Sequence, residues 1–194
     1  MNVLITTIHK GDSINDAIRK FSPDKLMFIV PEPQEKTKTE AINKIQKDFK
    51  NLKFENIKTK TYDVTQIVKD VDKAIKKELK NNNKIKIHIS ESRKPQAFAA
   101  YFAGLLNKEK IEGVYYLEEE DGSILTMPLL SLKLSKTKTF ILNELNKGNK
   151  DIPSIIKKVK KKKSIIYQHI KSLRADGYIT EDLELTDSGK IVIL

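Results

Sequence analysis

The chain contains no cysteine. Disulfides, thiolate-bound metals and cysteine nucleophiles are therefore excluded, and a reducing cytosol suits it. Only three histidines occur, and no carboxylates cluster beside them, so no metal site is expected. Neither GxGxxG nor GxxxxGK(S/T) is present, which removes direct support for nicotinamide cofactors and for NTP hydrolysis. No apolar run approaches the length of a membrane span and no signal-peptide h-region opens the chain, so a soluble cytoplasmic protein is expected. No internal repeat is visible. Acid is in deficit as well: 37 Lys and Arg face 26 Asp and Glu in 194 residues, a net charge of +11.

That excess is uneven. Up to Lys133 there are 24 basic and 19 acidic residues, and after it 13 and 7. The last third is about twice as basic per residue, which points to a polyanion-binding C-terminal domain. The boundary falls in a Lys/Ser/Thr-rich joint, Ser131–Lys138, and gives domains 1–132 and 133–194.

In the first domain short β-branched runs alternate with amphipathic stretches. Met1–Ile8, Lys25–Val30, Phe54–Lys60 and the Ile85, Ile87, Ile89 segment read as strands. Helices are expected at Ile14–Phe21, at Gln34–Phe49 with a stripe of Ala41, Ile42, Ile45 and Phe49, after the cap Asp63, and at Gln96–Leu106 behind Pro95. Gly113–Glu119 and Ser123–Leu130 read as two further strands around Asp121-Gly122. Four strand–helix alternations with short connections predict an α/β, Rossmann-like, doubly wound parallel sheet. Its ligand crevice would lie at the carboxyl ends of the strands. Gln96–Leu106 is apolar almost all round, as a central helix or a homodimer interface would be. Lys86 and His88, alternating with isoleucines on a central strand, have no explanation at this level.

Two loops carry the candidate ligand chemistry. Ser90-Glu91-Ser92-Arg93-Lys94-Pro95-Gln96 joins a buried strand to a helix N-terminus, and its hydroxyls, amide and cations suit phosphate. The bland alternative is an ordinary cap by Ser92 with Arg93 solvated. The loop around Thr6, Thr7, Ile8, His9 and Lys10 would lie beside it at the switch point. Glu118–Asp121 reads as a solvated acidic turn rather than a Mg²⁺ site.

In the second domain, Thr139–Lys147 and Ile152–Val159 read as helices, the latter with Asp151 as cap and Pro153 in its first turn. Ser164–Tyr178 has two faces. Ile166, His169, Ile170 and Leu173 form a core stripe; Ser164, Tyr167, Gln168 and Lys171, with Arg174 beyond, form an exposed face without acid. Upstream, Lys157–Lys163 adds six cations with no compensating carboxylate, among them Lys161, Lys162 and Lys163. A helix entering the major groove needs this distribution. A hairpin of Ile179–Leu185 and Lys190–Leu194 would complete a winged helix-turn-helix, with Thr186, Ser188 and Lys190 on a phosphate-touching wing.

The segment SIIYQHIKSLRADGYI with the later LTDSGK resembles winged-helix regulators of the MarR/ArsR type. The order of elements in the first domain, with TTIHKG after the first strand and SESRKP after the fourth, resembles the CRISPR-associated Rossmann fold, or CARF, domain. CARF domains fused to a winged helix form a family of CRISPR-associated transcriptional regulators. The resemblance implies a homodimer, double-stranded DNA as partner, and a cyclic oligoadenylate such as cyclic tetra-adenylate as effector rather than a bound cofactor. It would make 1–132 the sensing and dimerisation domain and 133–194 the DNA-binding domain. By position, Thr6–Lys10 would line the nucleotide site and Ser92, Arg93 and Lys94 would hold phosphate or ribose, with Ser90 a further ligand candidate. Where the family often has paired glycines this chain has Ser90-Glu91, which puts a carboxylate beside the expected polyphosphate. The expected role is regulation, not catalysis. A ring nuclease cutting the effector, using His9, Arg93 and Lys94, is the enzymatic alternative; a regulator outside CRISPR defence with another ligand is the third.

Overall fold

The apolar run at the N-terminus becomes β1 (Asn2–Thr7), which lies inside a six-stranded sheet. After it come α1 (Asp12–Phe21), β2 (Lys25–Pro31), α2 (Lys36–Asp48), β3 (Lys53–Thr59), α3 (Val64–Lys80), β4 (Lys84–His88), α4 (Lys94–Leu106), β5 (Gly113–Leu117) and β6 (Ile124–Thr126). The strand order is β3-β2-β1-β4-β5-β6. All neighbours are parallel except β5 and β6, which pair antiparallel. The computed structural model describes residues 1–118, 122–129 and 134–194. The expected strand end Glu119, the acidic run Glu119–Asp121, Leu130 and the start of the joint, Ser131–Lys133, lie outside the described residues.

Strand alternation explains the two-sided burial. Leu4, Leu26, Phe28 and Val30 pack with Ile14, Ala17 and Ile18 of α1 and Ala41, Ile42 and Ile45 of α2. Val3, Ile5, Met27, Ile29, Ile85 and Ile87 point the other way and are equally buried. On that side α4 comes close to the sheet. A Cβ on Gly104 would lie 2.4 Å from Val114 Cγ2, so only glycine allows this approach. Ala99, Ala100, Ala103 and Leu105 are buried with it, which makes α4 a central helix of the unit. Phe98 of the same helix is 59% exposed.

Lys86 and His88 now have reasons. Lys86 ion-pairs with Glu112 and lies over the Phe21 ring. His88 is buried in a relay described below.

The chain divides into two units, Met1–Ser131 and Leu132–Leu194. The second contains α5 (Lys136–Asn146), α6 (Ile152–Val159), α7 (Lys163–Ala175) and α8 (Asp187–Val192). Its core joins Ile141, Leu142 and Leu145 of α5, Ile155 of α6, and Ile166, Ile170 and Leu173 of α7 to Ile179. Helix α5 starts three residues before the expected Thr139, because Ser135 accepts from the Lys138 N–H at 3.3 Å and caps it. Asp151 stands at the N-cap of α6 without a side-chain bond to it.

The expected terminal hairpin is corrected. Ile179 and Leu185 form a single antiparallel bridge, and Lys190–Val192 is helical rather than strand. Thr186 accounts for this. Its hydroxyl accepts from the Gly189 N–H at 3.1 Å and starts α8. Gly189 then sits where a Cβ would lie 2.1 Å from the Tyr178 carbonyl oxygen. Among the described residues no helix is long and apolar enough to cross a membrane.

Candidate functional site

The strand order reverses between β1 and β4, and the loops leaving these two strands part there. A cleft of about 650 Å³ opens at this point. His9, Lys10, Asp12, Ser13 and Asp16 line it from the first loop and α1. Ser90, Glu91 and Ser92 line it from the fourth loop, and Leu117, Glu118 and Gly122 from the β5–β6 side.

Four of the expected ligand residues, His9, Lys10, Ser90 and Ser92, come together here. The others do not. Thr6 and Thr7 are fully buried as the last residues of a central strand, and Ile8 belongs to the core. Arg93 turns to the loops after β2 and β3. It donates to Glu35 at 3.2 and 3.3 Å and to the Tyr62 hydroxyl at 2.9 Å. It is thus exposed but ion-paired, and it does not line the cleft. Lys94 is exposed at the start of α4. Ser92 does not cap that helix; its hydroxyl donates to the Arg93 carbonyl at 2.9 Å.

Beneath the cleft runs a buried relay. The Leu117 N–H donates to Ser90 Oγ at 2.6 Å. Ser90 Oγ lies 2.8 Å from His88 Nε2, and His88 Nδ1 lies 3.0 Å from Thr6 Oγ1. The Thr6 hydroxyl donates to the Thr7 carbonyl at 2.9 Å. One assignment satisfies every group: a neutral His88 protonated at Nδ1, with Ser90 donating to Nε2. Burial pushes the His88 pKa down to about 4, against the opposing pull of Glu91.

Glu91 is the centre of the site. Its carboxylate accepts from the backbone N–H groups of Lys10 at 2.9 Å, Gly11 at 2.5 Å and Ser13 at 2.6 Å. It thus satisfies donors at the N-terminus of α1 that otherwise need an external acceptor. Gly11, at φ +94°, supplies the left-handed turn that aims them. Burial pushes the Glu91 carboxyl up, but the bonds from Gly11 and Ser13 outweigh it and hold it below the usual range.

A second polar pair was not foreseen. Lys38 is 0% exposed and donates to Gln96 Oε1 at 2.9 Å. Gln96 Nε2 is buried without a protein partner. Burial pushes the Lys38 pKa down. The signal was available, since Lys38, Ala41, Ile42 and Ile45 fall at i, i+3, i+4 and i+7 on the buried stripe of α2. For Glu91 no local signal existed, because its partners lie some 80 residues away. Among the described residues no group of three or more acidic or histidine side chains stands together to hold a metal.

In the second unit, α6, the turn Lys160–Lys162 and α7 form a helix-turn-helix. Ser164, Gln168 and Lys171 are exposed, as is Tyr167 at 47%, while Ile166, Ile170 and Leu173 are buried beneath them. His169 is half-buried. Lys161, Lys162 and Lys163 stand exposed at the start of α7, the last with its ammonium 5.7 Å from the Tyr167 ring centroid. The expectations for Lys158 and Lys190 need correction. Lys158 is compensated, because it donates to Glu144 of α5 at 2.6 Å. Bonds from Lys158 and Asn149 hold the Glu144 carboxyl at about 2. Arg174 stays beside Tyr167 and Lys171, donating to the Glu181 carbonyl at 2.8 Å and pairing with its carboxylate. Lys190 lies in α8 rather than on a wing, 3.1 Å from Asp187.

Comparison with known proteins yields two family matches. Residues 4–121 match the family described as HFX_2341_N-like, N-terminal. Residues 135–181 match the bacterial regulatory proteins of the arsR family. No curated protein matches the chain significantly. Among solved structures, Enterococcus italicus Csm6 bound to cyclic hexa-2'-fluoro-hexa-dAMP aligns with a TM-score of 0.53 at 14% identity, over 91% of this chain and 54% of that one. Protein VC1899 from Vibrio cholerae gives 0.54 at 8% identity, over 76% and 44%. A Type III CRISPR defence DNA nuclease activated by cyclic oligoadenylate gives 0.51 at 10%, over 80% and 29%. The chain therefore spans about half or less of the length of these structures, and the likeness is one of fold. The Rossmann-like fold and the ArsR-type helix-turn-helix that the resemblance implied are both found.

Proposed function

Because the chain belongs to the HFX_2341_N-like, N-terminal family through residues 4–121 and continues into an ArsR-type region, we propose that it is a DNA-binding transcription regulator controlled by a small nucleotide. The observation that carries this reading is the two-sidedness of α7. Its apolar side is sealed into the core, while Tyr167, Gln168 and Lys171 face outward behind a lysine-rich turn. Lysines 161–163 would bind backbone phosphate, and the outward face would meet base edges. On this reading 133–194 is the DNA-binding domain, and 1–132 is the sensing and dimerisation domain. Exposed Phe98 and Leu125, at 59% and 49%, offer apolar surface for a second copy. Like the DNA it binds, it would act in the cytoplasm.

The effector we favour is a cyclic oligoadenylate such as cyclic tetra-adenylate, bound at the cleft between the first and fourth loops. The fold shared with proteins activated by or bound to such molecules supports this choice. Likeness to regulatory proteins supports control over cleavage as the role, so labelled cyclic tetra-adenylate should stay intact on incubation. A second reading keeps the DNA-binding half and exchanges the ligand. It is favoured by the cleft's own charge, since Asp12, Asp16, Glu91 and Glu118 face Lys10 there.

Gel shifts of promoter duplexes at several salt concentrations, with and without cyclic tetra-adenylate, test the proposal. We expect salt-sensitive binding whose midpoint moves with the effector. No duplex binding at low salt would refute the regulator reading; binding indifferent to the nucleotide would leave only the second.

A further inference from the structure

The cleft at the switch point combines two features that conflict for a polyanionic ligand. Backbone N–H groups of the first turn converge on one spot, as they do where a phosphate is bound. Yet that spot is filled from within the chain. Both oxygens of Glu91 are used, one by Lys10 and Gly11 and the other by Ser13, at 2.5–2.9 Å. The bonds are charge-assisted, and those from Gly11 and Ser13 are shorter than ordinary N–H···O hydrogen bonds. The acceptor is tethered to β4 through His88 and Ser90, which the relay to Thr6 and Leu117 holds in place. An external phosphate would have to displace a carboxylate that remains close by, and would then face Asp12, Asp16 and Glu118 as well.

We infer that Glu91 is the resident anion of the β1–α1 turn and closes that turn to phosphate, so that a nucleotide bound in the cleft turns its base or sugar, not its phosphates, toward α1. The second half of this inference rests on the sensing role proposed above; the first half does not. Glu91 thereby sets specificity. A ligand whose affinity depends on a phosphate at this turn is rejected, and one that offers hydrogen-bond donors to the carboxylates is accepted. The cations near the site are Lys10 on the turn itself and, beyond it, Lys94 and the Arg93 guanidinium beside Glu35 and Tyr62.

Full-length wild type, Glu91→Ala and Glu91→Gln, labelled with ¹⁵N, are titrated with inorganic phosphate and, separately, acetate, against chloride at matched ionic strength. Amide signals of Lys10, Gly11 and Ser13 are followed. In wild type they should not respond to either anion beyond the chloride control. In Glu91→Ala they should move saturably, with phosphate at least tenfold tighter than any wild-type response. Glu91→Gln keeps the side chain's bulk and some acceptor capacity, and should respond in between. Should the alanine variant not fold, the wild type and the glutamine variant make the same comparison. Equal phosphate responses in wild type and variants would overturn the inference, because the turn would then be open. Silence in both variants would overturn it too, because the turn would not be an anion site. Adding cyclic tetra-adenylate to all three proteins separates the two halves. If none binds it, the sensing proposal fails while the resident-anion result stands by itself. If wild type binds it and its Lys10, Gly11 and Ser13 amides shift as they do with phosphate in Glu91→Ala, the orientation is wrong.

Discussion

His88 illustrates how a single residue couples the candidate site to stability. It is 1% exposed and hydrogen-bonded on both nitrogens, so the folded protein holds it neutral down to about 4. In the unfolded chain it would take a proton near 6.5. Below that pH the unfolded state binds a proton that the folded state refuses. Stability should therefore fall as pH drops from 6.5 to 4, by roughly 3 kcal/mol at the lower end. Urea unfolding at intervals between pH 7 and 4 checks this. His88→Gln should be less stable at neutral pH but lose most of the slope above pH 5; an unchanged slope would assign the effect elsewhere. At this scale the sequence was only partly readable. His88 was visible as an anomaly on an apolar strand, but one of its partners, Thr6, comes from the neighbouring strand β1 and the other, Ser90, from the loop after β4. Lys38 was readable in principle, since it completes a helical stripe, but a lysine is expected in solvent. Glu91 looked like a flaw in a phosphate loop, and its true partners are fixed only when β1 and β4 become neighbours.

Elements were more legible than site residues, for a physical reason. Parallel strands buried on both faces and amphipathic helices write their burial directly as apolar periodicity. The terminal segment failed because KIVIL has strong β propensity in isolation, whereas Thr186 and Gly189 fit a helix start packed on Tyr178. Propensity over so few residues yields to tertiary context. Helix α4 shows the same dependence in reverse. Its small residues looked like either an interface or a core, and Gly104 against Val114 decides for close packing on the sheet. Gly104→Ala should force a Cβ into Val114 and cost about 1–3 kcal/mol, the usual range for overpacking. Thermal unfolding would register it as a lower midpoint. Loss within a few tenths of a kcal/mol would mean that the helix shifts freely to admit the methyl group.

For the whole molecule, charge and architecture agree. The net charge of +11 is concentrated per residue behind the Rossmann-like unit. Within the C-terminal unit Lys158 is ion-paired to Glu144 and Arg174 to Glu181. A compact set of lysines stands ahead of one exposed face. Phosphate contacts and base contacts should then separate experimentally, because the first carry salt dependence and the second carry sequence preference.

The most direct measurement is therefore binding of wild type, Lys162→Ala and Gln168→Ala to a randomised duplex library at several salt concentrations. Lys162→Ala should weaken binding to all sequences alike and lower the salt slope by about 1. Gln168→Ala should leave the slope unchanged and relax the preference at one base position by roughly 1–3 kcal/mol. Identical, sequence-independent losses from both substitutions, or no selection by the wild type at any salt, would contradict α7 as the element that reads DNA.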